Sequence, residues 1–297
     1  MKLLAIVTPT YNRADLLNNL YLSLVNQTST NFKWYIIDDG SKDNTKEVCE
    51  SFIKEKKIDI EFVSKENGGK HTALNTAMST VKEELTFIVD SDDTLTPNAI
   101  EIVEKYYDQI KGKDDVCGIG FLKIRKGNGT FVGKKYSKNL LVDYFINERI
   151  NRNIYGDKAE IFKTSILKKY PFPVFEGEKF VSESTVWCDI SLNYKMLFVN
   201  EGIYICEYQD TGLSASIHKT LFKNPNGAVA CYLKMSSKKV RLKYRFKYTI
   251  AVAVYSFVAK KQFKEIFKKI DSKFLFVIGY IPAYFIYLRK RRRYKKI

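Results

Sequence analysis

The sequence has few of the side chains from which proteins build soft-metal sites and disulfide frameworks. Its 297 residues include two histidines and five cysteines, and no two cysteines form a CxxC pair. A histidine-rich metal centre is therefore excluded, and neither a zinc site nor a disulfide framework is expected. Scattered single cysteines instead favour a reducing compartment.

Glycine and proline are also scarce, with 15 and 6 residues, while 45% of the chain is hydrophobic. This composition excludes a collagen-like or disordered chain, and the length allows one large domain or two modest ones. The segment after Met1 has neither the basic region nor the long apolar run of a secretory signal. We therefore expect a cytoplasmic protein.

Acidic residues are scarce in one part of the chain only. Residues 231–297 contain 20 lysines and arginines against Glu265 and Asp271, whereas residues 1–230 contain 30 basic and 31 acidic residues. The net charge of +17 therefore belongs to the C-terminal part. The sequence thus predicts a balanced domain over residues 1–230, followed by a basic helical region over residues 231–297.

Short apolar runs alternate with helical periods in the N-terminal part of the chain. Strands are predicted at Leu3–Val7, Phe32–Ile37, Ile58–Val63, Leu85–Val89 and Val116–Ile124. Helices are predicted at Thr45–Glu55, His71–Thr80 and Asn98–Ile110, and a further helix is expected to begin with Asn12 as its cap. This order predicts an α/β fold with a mainly parallel, mixed sheet and helices on both faces.

Four polar clusters directly follow the predicted strands. They are TPTYN at 8–12, DDGS at 38–41, KENGGK at 65–70 and DSDD at 90–93. Because parallel sheets bind ligands at the carboxyl ends of their strands, we expect the four clusters to lie along one rim.

The DSDD cluster carries the strongest indication of chemistry. Asp90 and Asp92 are two residues apart at a strand end, so their carboxylates project to the same side and repel each other. A hard divalent cation, Mn²⁺ or Mg²⁺, would neutralise them, and such ions complete their shell with water and substrate phosphates. We therefore predict that Asp90 and Asp92 bind a metal that stabilises a departing diphosphate.

Together the motifs resemble the nucleotide-sugar-binding half of the family-two glycosyltransferases. That family has the GT-A fold, and its members are typically inverting, metal-dependent enzymes. The resemblance is specific over residues 1–125 and continues more loosely to about residue 215. It assigns residues 1–125 to nucleotide-sugar binding and residues 126–230 to the acceptor side, and it implies a bacterial source.

The resemblance implies roles for three residues around the nucleotide base. Pro9 and Tyr11 would line the pocket, with Tyr11 packing near the base. Asp39 would accept a hydrogen bond from the ring nitrogen of uracil, a group that cytosine and purines do not present alike. The implied donor is therefore a UDP-sugar.

Further roles are implied around the diphosphate. Lys70 would lie near the phosphates, Asp90 would approach the ribose or the metal, and Asp92 would bind the metal. His218 is a candidate contact to the diphosphate or the metal, and the role of Asp93 is open.

An inverting transferase needs a general base that takes the proton of the acceptor hydroxyl as it attacks the sugar. Glu183 matches the family acid that precedes a short helix, and the apolar Val186 and Trp187 after it would raise its pKa toward a useful value. Asp189 is the alternative base. The QxxRW motif of processive synthases is absent, and QDTGLS at 209–214 stands near its expected place, which favours transfer of a single sugar.

Two apolar segments in the basic region, Thr249–Ala259 and Phe274–Leu288, are each followed by lysines or arginines. The longer one would form a helix about 22 Å long, shorter than the roughly 30 Å hydrocarbon core of a bilayer. We therefore expect an interfacial or re-entrant anchor on the anionic, cytoplasmic face of the cell membrane. A helical hairpin docked on the catalytic domain or used for dimerisation is the alternative, and nucleic-acid binding is not expected.

The sequence thus predicts a metal-dependent inverting glycosyltransferase that moves one sugar from a UDP-sugar to a lipid-linked or growing glycan. The membrane contact points to the synthesis of capsule, cell wall or another surface polysaccharide. A nucleotidyltransferase on a similar sheet is one alternative, but it needs a glycine-rich phosphate loop that TPTYN does not supply. A catalytically inactive, membrane-tethered nucleotide-binding or scaffold module is the other.

Overall fold

The computed structural model describes residues 2–206 and 217–294, and the chain divides into two compact units. The first unit comprises Met1–Tyr144, Ile154–Pro171 and Asn193–Tyr208, and the second comprises Phe145–Asn153, Phe172–Leu192 and Gln209–Ile297. The second unit thus combines the basic region with earlier segments. The boundary expected at residue 230 divides the chain by charge rather than by packing, and it stays a prediction.

The first unit contains the strands of the described residues and five helices. The strands are β1 (Leu4–Thr10), β2 (Phe32–Asp38), β3 (Ile60–Ser64), β4 (Leu85–Ile88), β5 (Thr94–Leu95), β6 (Val116–Arg125), β7 (Leu141–Asp143), β8 (Lys158–Lys163) and β9 (Lys195–Cys206). The helices are α1 (Ala14–Val25), α2 (Thr45–Glu55), α3 (Lys70–Thr80), α4 (Ala99–Tyr107) and α5 (Thr164–Leu167). Each strand and helix expected from the sequence is present within a few residues.

Within the described residues, nine strands form one sheet in the order β3-β2-β1-β4-β8-β6-β9-β5, and β7 pairs with β9. β1 is parallel to both of its neighbours, so Leu4 lies between Phe32 of β2 and Leu85 of β4. β8 is antiparallel to both β4 and β6. The mixed sheet is confirmed, and its parallel strands β1 to β4 bring their carboxyl ends to one edge.

The centre of the sheet is apolar because β1 is buried along its whole length. α1 and α2 pack together through Tyr21 and Phe52, whose ring centroids are 4.1 Å apart. Trp34 of β2 donates from Nε1 to Thr8 Oγ1 at 2.9 Å, so the polar atoms of both side chains are satisfied inside the core.

The cap expected at Asn12 is wrong. α1 begins at Ala14, and Asn12 adopts a left-handed conformation with φ of 51°. Its Oδ1 accepts the Lys42 N–H at 2.7 Å, and its own N–H donates to Ser41 Oγ at 2.8 Å. The Ala14 N–H donates to Asp43 Oδ2 at 3.2 Å. A neighbouring loop supplies the capping acceptor, which the local pattern around Asn12 does not contain.

The second unit is helical in its described residues. It contains a π-helix (Ile146–Asn151) and the helices α6 (Ser184–Ile190), α7 (Ile217–Lys223), α8 (Pro225–Met235), α9 (Leu242–Val258), α10 (Phe263–Lys269) and α11 (Lys273–Tyr294). The two apolar segments of the basic region form most of α9 and α11, and α11 continues through Pro282. Among the described residues, no helix combines the length and the apolar character needed to cross a membrane.

α9 and α11 pack along an apolar seam. Val252 and Ala253 of α9 are buried in one cluster with Phe276 and Ala283 of α11. Gly279 permits this approach, since a Cβ at that position would lie 3.1 Å from the Ile250 side chain. The seam buries one apolar face of α11, and the other apolar face of the helix is exposed.

Candidate active site

The structure joins the four polar clusters that follow β1, β2, β3 and β4. Asn12 contacts Ser41, which links the first cluster to the second. Asp39 binds the loop Lys65–Gly69, and Lys70 contacts Asp90. The expectation of a single polar rim is therefore confirmed by direct contacts.

Asp39 is the most heavily hydrogen-bonded acid of this rim and is only 3% exposed. Its Oδ1 accepts the Gly68 N–H at 2.9 Å and lies 2.8 Å from Lys65 Nζ, and its Oδ2 accepts the Gly69 N–H at 2.7 Å. The Asn67 side chain donates to the Asp39 backbone carbonyl at 2.9 Å. Asp39, the acid expected to bind the uracil base, thus also holds the loop after β3. An N–H of the uracil base has to share an Asp39 carboxylate oxygen with the donors of this loop.

The two glycines of this loop are required by its geometry. A Cβ at Gly68 would lie 2.7 Å from Thr72 Oγ1, and Gly69 has a φ of 94°, which side-chain-bearing residues rarely adopt. Both place a backbone N–H on Asp39, and α3 begins directly after them at Lys70. The ENGG motif is therefore an acid-binding loop that also positions Lys70.

The DSDD segment forms a turn after β4. The Asp93 N–H donates to the Asp90 carbonyl at 3.2 Å, and the Asp90 N–H donates to Tyr204 Oη at 2.9 Å. Lys70 Nζ lies 2.5 Å from Asp90 Oδ1. Lys70 and Asp90, which belong to two of the clusters expected on one rim, are thus in contact, and Tyr204 of β9 binds the turn through its hydroxyl.

Lys123 is a component of this site that the sequence analysis missed. It lies on β6 opposite Tyr204, with its Nζ 3.8 Å from the centre of the Tyr204 ring. The same ammonium is 4.0 Å from Asp90 Oδ2 and 3.8 Å from Asp93 Oδ2. The sequence does contain a signal for Lys123, because this lysine interrupts an apolar segment between VCGIGFL and Ile124.

Burial and the charges of Lys70 and Lys123 give the carboxyl groups of Asp90 and Asp93 different titration behaviour. Burial alone would raise the pKa of Asp90, but Lys70 and Lys123 hold that pKa well below its usual range. Burial raises the pKa of Asp93 to about 6, against the opposing effect of Lys123. Burial favours a lower pKa for Lys123, yet Asp90 and Asp93 raise it overall. Asp90 is therefore favoured as an anion, whereas Asp93 titrates near pH 6.

Asp92 pairs with Arg13, whose Nη1 lies 2.9 Å from Asp92 Oδ2. In the part of the chain that the structure describes, no three His, Cys, Asp or Glu side chains converge on a metal site. Asp92 is 21% exposed and offers a hard oxygen donor, so it fits a single ligand to Mn²⁺ or Mg²⁺ whose other ligands are water and phosphate. Asp90 fits less well because two ammonium groups surround it.

Pro9 and Tyr11 lie on the β1 side of the rim. Pro9 is buried in β1, where it pairs with Ile37 of β2. Tyr11 follows the strand and is 43% exposed, so its ring is accessible to a ligand.

The two candidate bases lie in the second unit around α6. Glu183 precedes the first residue of α6, one of its carboxylate oxygens is buried, and Val186 and Trp187 are buried after it. Asp189 lies within α6 and pairs with Lys234 Nζ at 2.7 Å. Both candidate acids therefore lie at α6.

His218 also lies in the second unit, on α7. Burial lowers its pKa, and the cationic side chains of Lys290 and Arg293 lower it further. Two nearby cations disfavour a metal ion at this histidine but suit a phosphate group. The QDTGLS segment at 209–214 lies outside the described residues.

The sequence profile of Glycosyl transferase family 2 matches residues 5–170, which is more than half of the chain. The chain belongs to this family. It is therefore a glycosyltransferase with the GT-A fold, and the alternative of a nucleotidyltransferase is wrong.

Individual relatives and solved structures resemble the chain to different extents. GlyG, a glycosyltransferase of Streptococcus pneumoniae TIGR4, is 30% identical over 232 residues, which is 74% of each chain. TarP, a poly(ribitol-phosphate) beta-N-acetylglucosaminyltransferase of Staphylococcus aureus N315, is 35% identical over 129 residues, 40% of this chain and 39% of TarP. The structure of S. aureus TarS 1–349 with UDP-GlcNAc has a TM-score of 0.65 at 18% identity and covers 99% of this chain and 92% of that one. This last likeness is one of fold.

We expect Asp93→Asn to raise the free energy of unfolding above about pH 6 in metal-free buffer. The folded-state pKa of about 6 exceeds the value of about 4 for an unfolded aspartate, so ionisation of Asp93 destabilises the fold as the pH rises through this window. The gain should shrink as the pH falls toward about 4, where Asp93 is protonated in both states. Urea unfolding at a series of pH values measures it, with the exposed Asp114→Asn as control. A variant less stable than the parent chain under alkaline conditions contradicts the assignment.

Proposed function

We propose that the chain transfers a single sugar, with inversion, from a UDP-sugar to a hydroxyl of a lipid-linked or growing glycan. The observation that carries the proposal is the polar rim, where Asp39, Lys70 and Asp90 lie in the segments that follow the parallel strands β2, β3 and β4 and contact one another's segments. Ligands of such sheets bind at this edge. The family membership makes the chain a glycosyltransferase, and the rim supports the choice of donor.

A nucleoside diphosphate suits the charges of the rim. Lys70 and Arg13 each contact a carboxylate and are partly exposed, so both can turn to phosphate oxygens when a donor enters. Asp39 and Tyr11 provide the side that receives the uracil base in this proposal. The TarS structure contains UDP-GlcNAc, and TarP is named as an N-acetylglucosaminyltransferase, which makes a UDP-N-acetylhexosamine the first donor to test.

Asp92 would hold Mn²⁺ or Mg²⁺ in the loaded enzyme, since its carboxylate is partly exposed and Asp90 is already paired with Lys70 and lies near Lys123. A bound divalent ion supplies Lewis-acid stabilisation of negative charge on the departing diphosphate. Arg13 has to release Asp92 for this, and its guanidinium is then available to the same phosphates.

Glu183 is the proposed general base, with Asp189 as the alternative. In a single displacement, the acceptor oxygen attacks the anomeric carbon, the bond to the diphosphate breaks, and the base takes the hydroxyl proton. The partly buried position of Glu183 beside apolar residues supports this role. The pairing of Asp189 with Lys234 supports a structural role for that acid.

The outer face of α11 supports a membrane location for the acceptor. Phe274, Ile281 and Phe285 form one exposed stripe, at 75%, 70% and 65% exposure, opposite the face that packs on α9. The run Arg289–Arg293 follows the stripe, and α11 contains no acidic residue. An exposed apolar stripe with a basic end suits an anionic membrane surface, here the cytoplasmic face of the cell membrane. A lipid-linked acceptor of surface polysaccharide synthesis would be reached there.

We expect UDP to bind the purified chain in a Mn²⁺-dependent manner and more tightly than GDP or CDP, as measured by calorimetry. Asp92→Asn should abolish the effect of Mn²⁺ on binding and lower sugar transfer by about a hundredfold or more, because the protein's metal ligand is lost. The exposed Asp114→Asn is the matched control. An Asp92→Asn chain that keeps its metal response refutes the assignment of the metal, and a chain that binds no nucleotide favours the scaffold alternative.

We expect Glu183→Gln to lower kcat by about a hundredfold or more while the affinity for UDP stays unchanged, because a general base acts on the acceptor and not on the nucleotide. Asp189→Asn should lower the free energy of unfolding through the loss of its pair with Lys234, with a smaller effect on kcat. Steady-state kinetics with a fixed acceptor separates the two. The reverse order of effects on kcat assigns the base to Asp189.

We expect the double variant Ile281→Ser and Phe285→Ser to weaken binding to anionic vesicles by about tenfold or more, because two exposed apolar side chains no longer enter the interface. Vesicle flotation measures the effect. Leu22→Ser with Ile53→Ser, at exposed positions of the first unit, is the matched control. Equal binding by all three chains shows that the stripe is not the membrane contact.

A further inference from the structure

The C-terminal end of α11 lies against α7. The rings of Phe222 and Tyr294 are 5.4 Å apart. His218 precedes Phe222 by one helical turn, and Lys290 precedes Tyr294 by one turn, so each pair shares one face of its helix. The contact therefore brings His218 and Lys290 to the same side of the interface between these helices, with Arg293 one turn beyond Lys290.

Lys290 is partly buried on an apolar and aromatic surface. Its Nζ lies 3.4 Å from Tyr255 Oη and 5.3 Å from the centre of the Tyr255 ring, and Tyr255 is itself 2% exposed. The guanidinium of Arg293 lies 5.7 Å from the Tyr294 ring. The aromatic side chains thus hold both cations near His218.

These cations have no carboxylate counter-ion within the described residues. Neither α7 nor α11 contains an acid, and Glu265 of α10 pairs with Lys261 and Lys269. Burial lowers the pKa of Lys290 accordingly. A cation that leaves water without a counter-ion costs free energy, and a bound anion would offset that cost.

The surroundings of the cluster indicate which anion it receives. Ile286 precedes Lys290 by one turn on the same flank of α11 and is exposed. A ligand that contacts both the cations and this flank has to combine a phosphate with an apolar chain. Such a molecule is an amphiphile at a membrane surface.

We propose that His218, Lys290 and Arg293 form a binding site for the phosphate group of a lipid. The proposal rests on the membrane contact proposed above and goes beyond it, because it assigns headgroup recognition to three particular side chains. Diffuse attraction by the basic run Arg289–Arg293 would show no preference among lipids of equal charge. A built site distinguishes an accessible phosphate monoester from other anionic headgroups.

Vesicle binding by the full chain tests this preference. We expect tighter binding to vesicles with phosphatidic acid than to phosphatidylserine vesicles of matched surface charge. The double variant Lys290→Gln and Arg293→Gln should lower the ratio of the two affinities by about tenfold, as expected for lost charge-assisted hydrogen bonds. Arg291→Gln with Arg292→Gln removes the same charge from other sides of the same turn and should weaken binding to both lipids alike. Equal losses in both double variants overturn the site.

A second measurement keeps the site testable apart from the membrane contact. The chain has two histidines, so the ring signals of His218 are assigned by NMR with His218→Gln. Monomeric dihexanoyl phosphatidic acid should shift these signals more than inorganic pyrophosphate at the same concentration, and Lys290→Arg should preserve the response. Equal shifts with pyrophosphate overturn the lipid assignment in favour of a free phosphate or the donor diphosphate. A response without vesicle binding supports the site and rejects the membrane contact, and no response rejects the site.

Discussion

The neutralisation of carboxylates at the ends of buried strands is the constraint on which the first unit depends. Asp39 and Asp90 follow strands of the apolar sheet centre, where an unpaired charge would be costly. Backbone N–H groups of the glycine loop satisfy Asp39, and Lys70 with Lys123 satisfies Asp90. The same contacts fix the positions of the loop after β3 and of the turn after β4. The polar rim is therefore formed by the groups that neutralise one buried and one partly buried acid.

This constraint also separates acids that look equivalent in the sequence. Asp90 is kept anionic by two lysines, whereas burial raises the pKa of Asp93 to about 6. Asp92 projects from the same turn toward Arg13 and stays accessible. One turn thus offers an acid that organises the site, an acid that titrates and an acid suited to a hard metal ion. A glycosyltransferase that has to receive and release a charged diphosphate is served by such a division.

The second unit has the opposite imbalance, because its C-terminal helices have many cations and few acids. α11 has two apolar faces, one of which is buried against α9 while the other is exposed. The inner face stabilises the unit through contacts around Gly279. The outer face and the cluster of His218, Lys290 and Arg293 are left for partners that supply apolar chains and negative charge. Membrane lipids have both, which connects the proposed transfer reaction with an acceptor held on a lipid.

Sequence periodicity determined the strands and helices of the N-terminal part and the position of the four polar clusters, because these features are encoded over a few neighbouring residues. Strand-end placement then predicted that the four clusters would lie along one rim. The tertiary structure alone decided that Lys123 lies beside Asp90, since that contact depends on β6 and β9 pairing behind the DSDD turn. It likewise decided that Asp43, and not Asn12, accepts the first N–H of α1. These contacts join segments far apart in the chain, and the order of strands that brings them together follows from packing rather than from any local pattern.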